Sequence, residues 1–300
     1  MGQLEGRVAL VTGAARGQGR SHALRLASEG ADIIAIDICA DVELVRYPMG
    51  TAEELAQTAE DIAALDRRCV AVTADARNAS LMRKVVAEAV TEMGRLDTVV
   101  INHGINVPHT IEDDDAVPVW DTVIGANLSS VWYTAAAAVP HMRENGGSII
   151  VTGSAASLIG VYGNAAYVAA KHAVLGLVKS LAIDLSKYWI RVNAVCPGNV
   201  PTTLVLNEAI LKAFFPGNPD ATYSDMDPAM TAMNLLPTPW VPVDAITDMV
   251  QFLASDTGKY ITGVALTVDA GFTTQMPGMN PELGRQFAVL EQRLAEATRG

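Results

Sequence analysis

The sequence predicts a single α/β domain over residues 1–300, a doubly wound, seven-stranded parallel sheet with helices on both faces. Three observations carry this. Runs of consecutive apolar residues, such as Ile33-Ile34-Ala35-Ile36 and Val99-Val100-Ile101, suit strands covered on both faces. They alternate with helical patterns along most of the chain, and no stretch reads as an interdomain linker. A glycine-rich turn joins the first strand to the first helix.

Composition narrows the function. Half of the 300 residues are apolar and 18% are charged, which excludes disorder as the main state. The 21 Lys and Arg against 33 Asp and Glu give a net charge of −12, which repels phosphate backbones and argues against a nucleic-acid partner. No apolar run approaches the ~20 residues of a membrane span, and Met1 to Glu5 lack a signal peptide's basic start and apolar stretch. A cytoplasmic enzyme without a membrane partner is expected. Cys39, Cys69 and Cys196 are odd in number, far apart and without a Cys-x-x-Cys pair. They encode neither a disulfide framework nor a metal site and read as small buried hydrophobes.

The elements follow in order. The first strand, 7–12, runs into Thr12-Gly13-Ala14-Ala15-Arg16-Gly17-Gln18-Gly19, which opens a helix over 17–29. Glycines there permit a tight turn and let backbone amides approach a pyrophosphate at the positive end of the helix, as in a Rossmann fold. The second strand, 32–36, is closed by Asp37, eighteen residues after Gly19. A carboxylate at this position grips a ribose 2′-hydroxyl. It would oppose a 2′-phosphate by roughly 4 kcal/mol per unit charge at about 4 Å, on the order of 10³ in affinity, which favours NAD over NADP. Arg16 is the competing signal, since a basic residue in the glycine turn can serve a 2′-phosphate.

Residues 39–50 are long for a strand-to-helix loop and form an insertion near where adenosine would lie. A helix over 52–65 and a strand over 69–74 follow, then Asp75, which can accept from the adenine amino group or cap the next helix, 80–93. The fourth strand, 98–101, leads to Asn102-His103-Gly104, and a helix over 117–142 carries Asn127 at its middle, where a weak helix former has a hydrogen-bonding reason. The fifth strand, 148–152, delivers Ser154 at its carboxyl end. In the helix over 163–189, Tyr167 and Lys171 are four apart and project from one face. A cation within 4–6 Å lowers a phenol's pKa by about 1–3, bringing a group that titrates near 10 toward use as a base. The sixth strand, 191–196, is followed by a Pro-rich stretch over 199–242 with a helical run near 204–215, read as a substrate lid. Its Leu204, Leu206, Phe214, Phe215, Met226, Met230, Met233, Leu235, Leu236 and Trp240 favour an apolar pocket. A helix over 243–253 and a strand over 264–268 complete the sheet, and 272–300 form an extension. Within it, 286–297 reads as a helix with Phe287, Leu290 and Leu294 on one side, a face that needs a partner.

Together, over about residues 4–272, these motifs resemble the short-chain dehydrogenase/reductase family. Its Thr-Gly-x-x-x-Gly-x-Gly turn is met by Thr12, Gly13, Gly17 and Gly19, its Tyr-x-x-x-Lys by Tyr167 and Lys171, its Ser and Asn by Ser154 and Asn127, and its Pro-Gly by Pro197-Gly198. The resemblance implies hydride transfer at nicotinamide C4, with Tyr167 as general base or acid and Lys171 lowering its pKa while holding the ribose. By the same resemblance Ser154 positions the substrate oxygen, Asn127 anchors a water for proton relay, and Val200 and Thr202 contact the carboxamide. A homotetramer is also implied. One departure stands out, because the family usually reads Asn-Ala-Gly where this chain has Asn102-His103-Gly104. His103 is either tolerated beside the site or takes part in binding substrate or cofactor.

Gly17-Gln18-Gly19-Arg20-Ser21-His22, with Gln18 in place of an apolar residue, and the insertion from Asp37 through Tyr47-Pro48 resemble the actinobacterial subgroup typified by carveol dehydrogenase. That subgroup is associated with the redox peptide mycofactocin, and the resemblance implies NAD held too tightly to exchange and reoxidised in place by such a carrier. The expected substrate is a hydrophobic secondary alcohol or its ketone, terpene- or steroid-like. A sugar or hydroxyacyl substrate with exchangeable NAD is the alternative. A non-enzymatic NAD-binding regulator is a further class, disfavoured because all four catalytic positions hold the family's residues.

Overall fold

The structure, a computed structural model, describes residues 2–215 and 217–274. The expected helix over 286–297 lies outside the described residues. From the amino terminus, β1 (Val8–Thr12), α1 (Gly17–Ser28), β2 (Asp32–Asp37), α2 (Ala52–Ala63), β3 (Cys69–Thr73), α3 (Ala79–Met93) and β4 (Thr98–Ile101) alternate as predicted. Next come α4 (Ala116–Ile124), α5 (Ser130–Ala138), β5 (Gly147–Thr152), α6 (Ala165–Leu185) and β6 (Ile190–Pro197). Two lid helices, α7 (Glu208–Phe214) and α8 (Asp227–Met233), precede α9 (Val243–Ala254) and β7 (Ala265–Val268). The second lid helix was not anticipated.

All seven strands are parallel, in the order β3-β2-β1-β4-β5-β6-β7. The order reverses between β1 and β4, so the loops at their carboxyl ends diverge and leave a crevice there. Strand alternation sends successive apolar side chains to opposite faces. Leu10, Ile34, Val99 and Ile149 join one core with residues of α3, α5 and α6. Ala9, Val11, Ile33 and Ile150 join the other with residues of α1, α2 and α9. A third, smaller core gathers Val42 of the insertion, Ile105 and Val107 after β4, Val119 and Val123 of α4, and Tyr167 against them.

Several expectations are corrected. The single helix over 117–142 is instead α4, a π turn at Gly125–Ser129 and α5, because side chains there compete for backbone carbonyls. The helix over 163–189 stops at Leu185, with a 3₁₀ turn at Ser186–Tyr188 and Trp189 in a left-handed conformation (φ 57). Ala165–Tyr188 is long and apolar enough, by length and composition, to cross a membrane, contrary to the sequence reading; in the fold α6 packs against β6 and buries Lys171. Of the cysteines only Cys196 is buried, while Cys39 and Cys69 are half-buried.

Candidate active site

A cavity of about 410 Å³ opens in the crevice, and every predicted site residue lines it except Gly19. Gly19 works from behind: a Cβ there would meet the Gly13 carbonyl oxygen at 1.9 Å, so only glycine lets α1 start this close to the turn. Gly13 itself has φ +69, and its Cα packs within a Cβ's reach of the His103 backbone. At the amino end of α1 no side chain caps the helix, and no acid lies in its first turn, so its amides face the cavity as an anion site.

Asp37 is 8% exposed and accepts from Ala15 N at 3.0 Å and from Cys39 N at 3.1 Å. It therefore fixes both the glycine turn and the start of the insertion, and its remaining lone pairs can take ribose hydroxyls. Arg16, its competitor, donates instead to the Pro48 carbonyl and so clamps the insertion. Asp75 caps nothing: Asn78 caps α3 by accepting from Leu81 N. Asp75 is held by Arg77, whose Nη2 lies 2.7 Å away. Burial pushes the Asp75 carboxyl up, but the hydrogen bonds and charge of Arg77 outweigh it and hold the group below its usual range.

The insertion crosses the cavity as a strap. Tyr47, buried within it, accepts from Asn106 N at 3.0 Å on the far side, and burial pushes the phenol up. Sequence reasoning missed Tyr47 as a site residue. An aromatic side chain inside an otherwise loop-like insertion was the available signal.

At the other end of the cavity, Tyr167 lies within hydrogen-bonding reach of Ser154. Burial pushes the Tyr167 phenol up to about 12, and the Ser154 hydrogen bond pulls it the other way. The expectation that Lys171 lowers this pKa is therefore not what the protein alone presents. Lys171 Nζ sits 5.6 Å from the Tyr167 ring centroid and donates to the Thr152 carbonyl at 2.7 Å. Its own burial lowers its pKa to about 8, so its charge is weakly held and the burial of the phenol dominates.

Asn127 is fully buried in the π turn. Its Nδ2 donates to Ile105 O and to Val123 O, each at 2.9 Å, and its Oδ1 accepts from Ile105 N at 3.2 Å. Gly104 makes room for it, since a Cβ there would lie 2.6 Å from Asn127 Oδ1. Gly198 plays the same part after β6, where a Cβ would meet Asp269 Cα at 2.8 Å. The chain then turns through Val200 and Thr202, whose N–H donates to the Val200 carbonyl at 2.8 Å. Thr202 reaches the glycine turn from this side. Leu204, Phe214, Met230 and Met233 of the lid complete an apolar wall. Leu235 and Leu236 are exposed instead, and Trp240 donates to Asp227 at 2.8 Å.

An uncapped helix end behind a glycine turn, a buried carboxylate at the end of β2, and a buried Tyr and Lys beside a Ser and an Asn fit a nicotinamide dinucleotide. A family model described as short chain dehydrogenase matches residues 7–210. A (-)-trans-carveol dehydrogenase from Rhodococcus erythropolis is 46% identical over 279 residues, covering 91% of this chain and 99% of that protein. The crystal structure of carveol dehydrogenase from Mycobacterium avium in complex with NAD superposes with a TM-score of 0.89 at 43% identity, covering 92% of this chain and 100% of that one. That of a short chain dehydrogenase from Mycobacterium paratuberculosis bound to NAD gives a TM-score of 0.83 at 38% identity, covering 91% and 100%.

Proposed function

This chain belongs to the short-chain dehydrogenase family, and from that premise we propose that it is an NAD-dependent oxidoreductase of an apolar secondary alcohol or its ketone, terpene- or steroid-like in character. The observation that carries the reading is the pairing of Tyr167 with Ser154 inside a cavity whose other half is the uncapped glycine turn.

When bound, NAD supplies a hydride acceptor at nicotinamide C4 and, in its oxidised form, a positive charge that favours the Tyr167 phenolate. The amides of the turn and of α1 would hold its pyrophosphate, with Gly13, Gly17, Gln18 and Gly19 giving the approach. Asp37 would accept from the ribose and Asp75, sharing its oxygens with Arg77, from the adenine amino group; the Asp37 carboxylate would oppose a 2′-phosphate, and Arg16 is drawn toward the Pro48 carbonyl. Asn102 and Gly104 would flank the nicotinamide ribose and Lys171 would hold it, while Pro197, Gly198, Val200 and Thr202 would meet the carboxamide end.

In the oxidative direction, Tyr167 Oη takes the proton from the substrate hydroxyl while Ser154 Oγ donates to the same oxygen. Lys171, by its charge, would stabilise the phenolate from which this step starts and which the proton converts to the phenol. Asn127 anchors a water that returns the proton toward solvent. The wall of Leu204, Phe214, Met230 and Met233 excludes water and selects an apolar substrate. The relative named for a terpene alcohol supports that class.

The strap over the adenosine half supports a retained cofactor, reoxidised in place by a carrier of the mycofactocin kind. The exposed Val117 and Trp120 of α4, Trp132 of α5 and Ile183 of α6 support association into a homotetramer. A cytoplasmic setting is consistent with the chain's composition.

The protein purified without added nucleotide and then denatured should release near-stoichiometric NAD or NADH, identified by mass spectrometry. Tyr167→Phe should keep that NAD and lose turnover by about 10²–10⁴-fold. An empty site that binds NAD freely would refute retention, released NADP would refute the role given to Asp37, and a fully active Tyr167→Phe would refute the mechanism.

A further inference from the structure

We propose that His103 is a positioning residue: through Ser130 it locks the π turn that carries Asn127, and through Thr12 it ties that turn to the end of β1 beside the glycine turn. The inference rests on the reading of Asn127 as a participant in the reaction.

The π turn leaves backbone carbonyls to be satisfied by other means. Ser130 N–H bonds to Gly125 O, five residues back, so the carbonyl of Ala126 loses the partner a regular α-helix would give it. Ser130 Oγ donates to that carbonyl at 2.8 Å. Asn127 Nδ2 likewise takes Val123 O, four residues back from its own position. The turn is thus held open by two side chains, and only one of them is part of the proposed machinery.

His103 sits against the other. Its Nε2 lies 2.7 Å from Ser130 Oγ, and its Nδ1 lies 2.7 Å from Thr12 Oγ1. The partners assign the tautomer. Ser130 uses its proton on Ala126 O, so Nε2–H is the donor to Ser130 Oγ. Thr12 Oγ1 already accepts from Asn102 N at 3.1 Å and from His103 N at 3.4 Å, and of the two acceptors for its proton the Val100 carbonyl lies at 3.5 Å and Nδ1 at 2.7 Å, so the shorter contact assigns the hydroxyl as donor to Nδ1. A single directed chain results, Thr12 to His103 to Ser130 to the Ala126 carbonyl. Acceptance at Nδ1 requires a neutral imidazole, and burial with the nearby Lys171 charge keeps the ring neutral by lowering its pKa to about 4. An alanine here, as the family pattern has, makes none of these bonds.

His103→Ala and Ser130→Ala break the chain at different points and are compared with Asn127→Ala in the NAD-loaded protein. Hydrogen exchange is read over segment 123–131, and kcat and KM are read with (-)-trans-carveol as the probe alcohol. His103→Ala and Ser130→Ala should each speed amide exchange in that segment about tenfold, with β4 and α3 unchanged. Both should lower kcat by about tenfold with KM within about twofold, and neither should add to the loss in an Asn127→Ala background. Unchanged exchange in 123–131, or a loss confined to global stability with kcat intact, would overturn the proposal. If exchange rises while Asn127→Ala retains full turnover, His103 holds the turn and the catalytic reading of Asn127 fails instead.

Discussion

Gly104 shows how little space separates a working site from a damaged one. In Gly104→Ala the new methyl would meet Asn127 Oδ1 at 2.6 Å and come within 3.8 Å of Lys171 Nζ. That clash forces the buried amide to move against the two carbonyls that fix it. We expect kcat to fall by about 10²-fold with NAD content unchanged, measured by steady-state kinetics beside mass-spectrometric quantification of the bound nucleotide. At this scale the sequence was most informative. Glycine spacing, a Tyr and a Lys four apart on a helix, and a Ser at a strand's carboxyl end are local patterns, and parallel topology brings such strand ends to one edge. Contacts between distant loops were not legible. Arg16 reaches the Pro48 carbonyl, thirty-two residues away, and Asp75 pairs with Arg77 rather than with a helix end. Nor does the phenol of Tyr167 show in sequence how deeply it is buried, which sets its pKa.

At the scale of elements, α1 and α9 pack across a buried histidine. His22 is fully buried, Nδ1 meets Thr247 Oγ1 at 2.8 Å, and Nε2 has no hydrogen-bond partner among the described residues. Burial lowers its pKa from 6.5 to about 3. The unfolded chain therefore takes up a proton below about pH 6.5 that the folded protein refuses, so stability is full above that pH and is lost as pH falls toward 3. The slope is about 1.4 kcal/mol per pH unit for one proton, and His103 adds to the same acid limb. Urea midpoints between pH 6.5 and 4.5 should fall less steeply in His22→Gln than in the parent, by about one proton. Legibility at this scale was uneven. Strands and most helices follow from apolar periodicity, because burial on one face dictates it. The π turn does not, since it arises from Asn127 and Ser130 taking carbonyls that helix amides would otherwise hold. The second lid helix, α8, begins with proline in its first turn amid several prolines, so a composition that reads as loop concealed it.

For the molecule as a whole, the two large cores on either face of the sheet supply the frame, and their residues come from strands and helices. The third core is different in kind. It is assembled from the insertion, the loop after β4, α4 and the start of α6, and Tyr167 packs against it. The insertion and the wall behind the Tyr167 phenol thus share one set of apolar contacts. On the proposal of a retained nucleotide, its release would part Val42, Ile105 and their neighbours, a local unfolding rather than an ordinary ligand dissociation. Exchange of the bound nucleotide for labelled NAD should accelerate in urea well below the global transition, with the exchange rate tracking the opening of this small core. A mechanism of free dissociation would leave the rate indifferent to urea in that range. On the proposal of a retained cofactor, turnover of the nucleotide becomes a folding problem: the protein would partly come apart to renew it, and while intact would use the same nucleotide cycle after cycle.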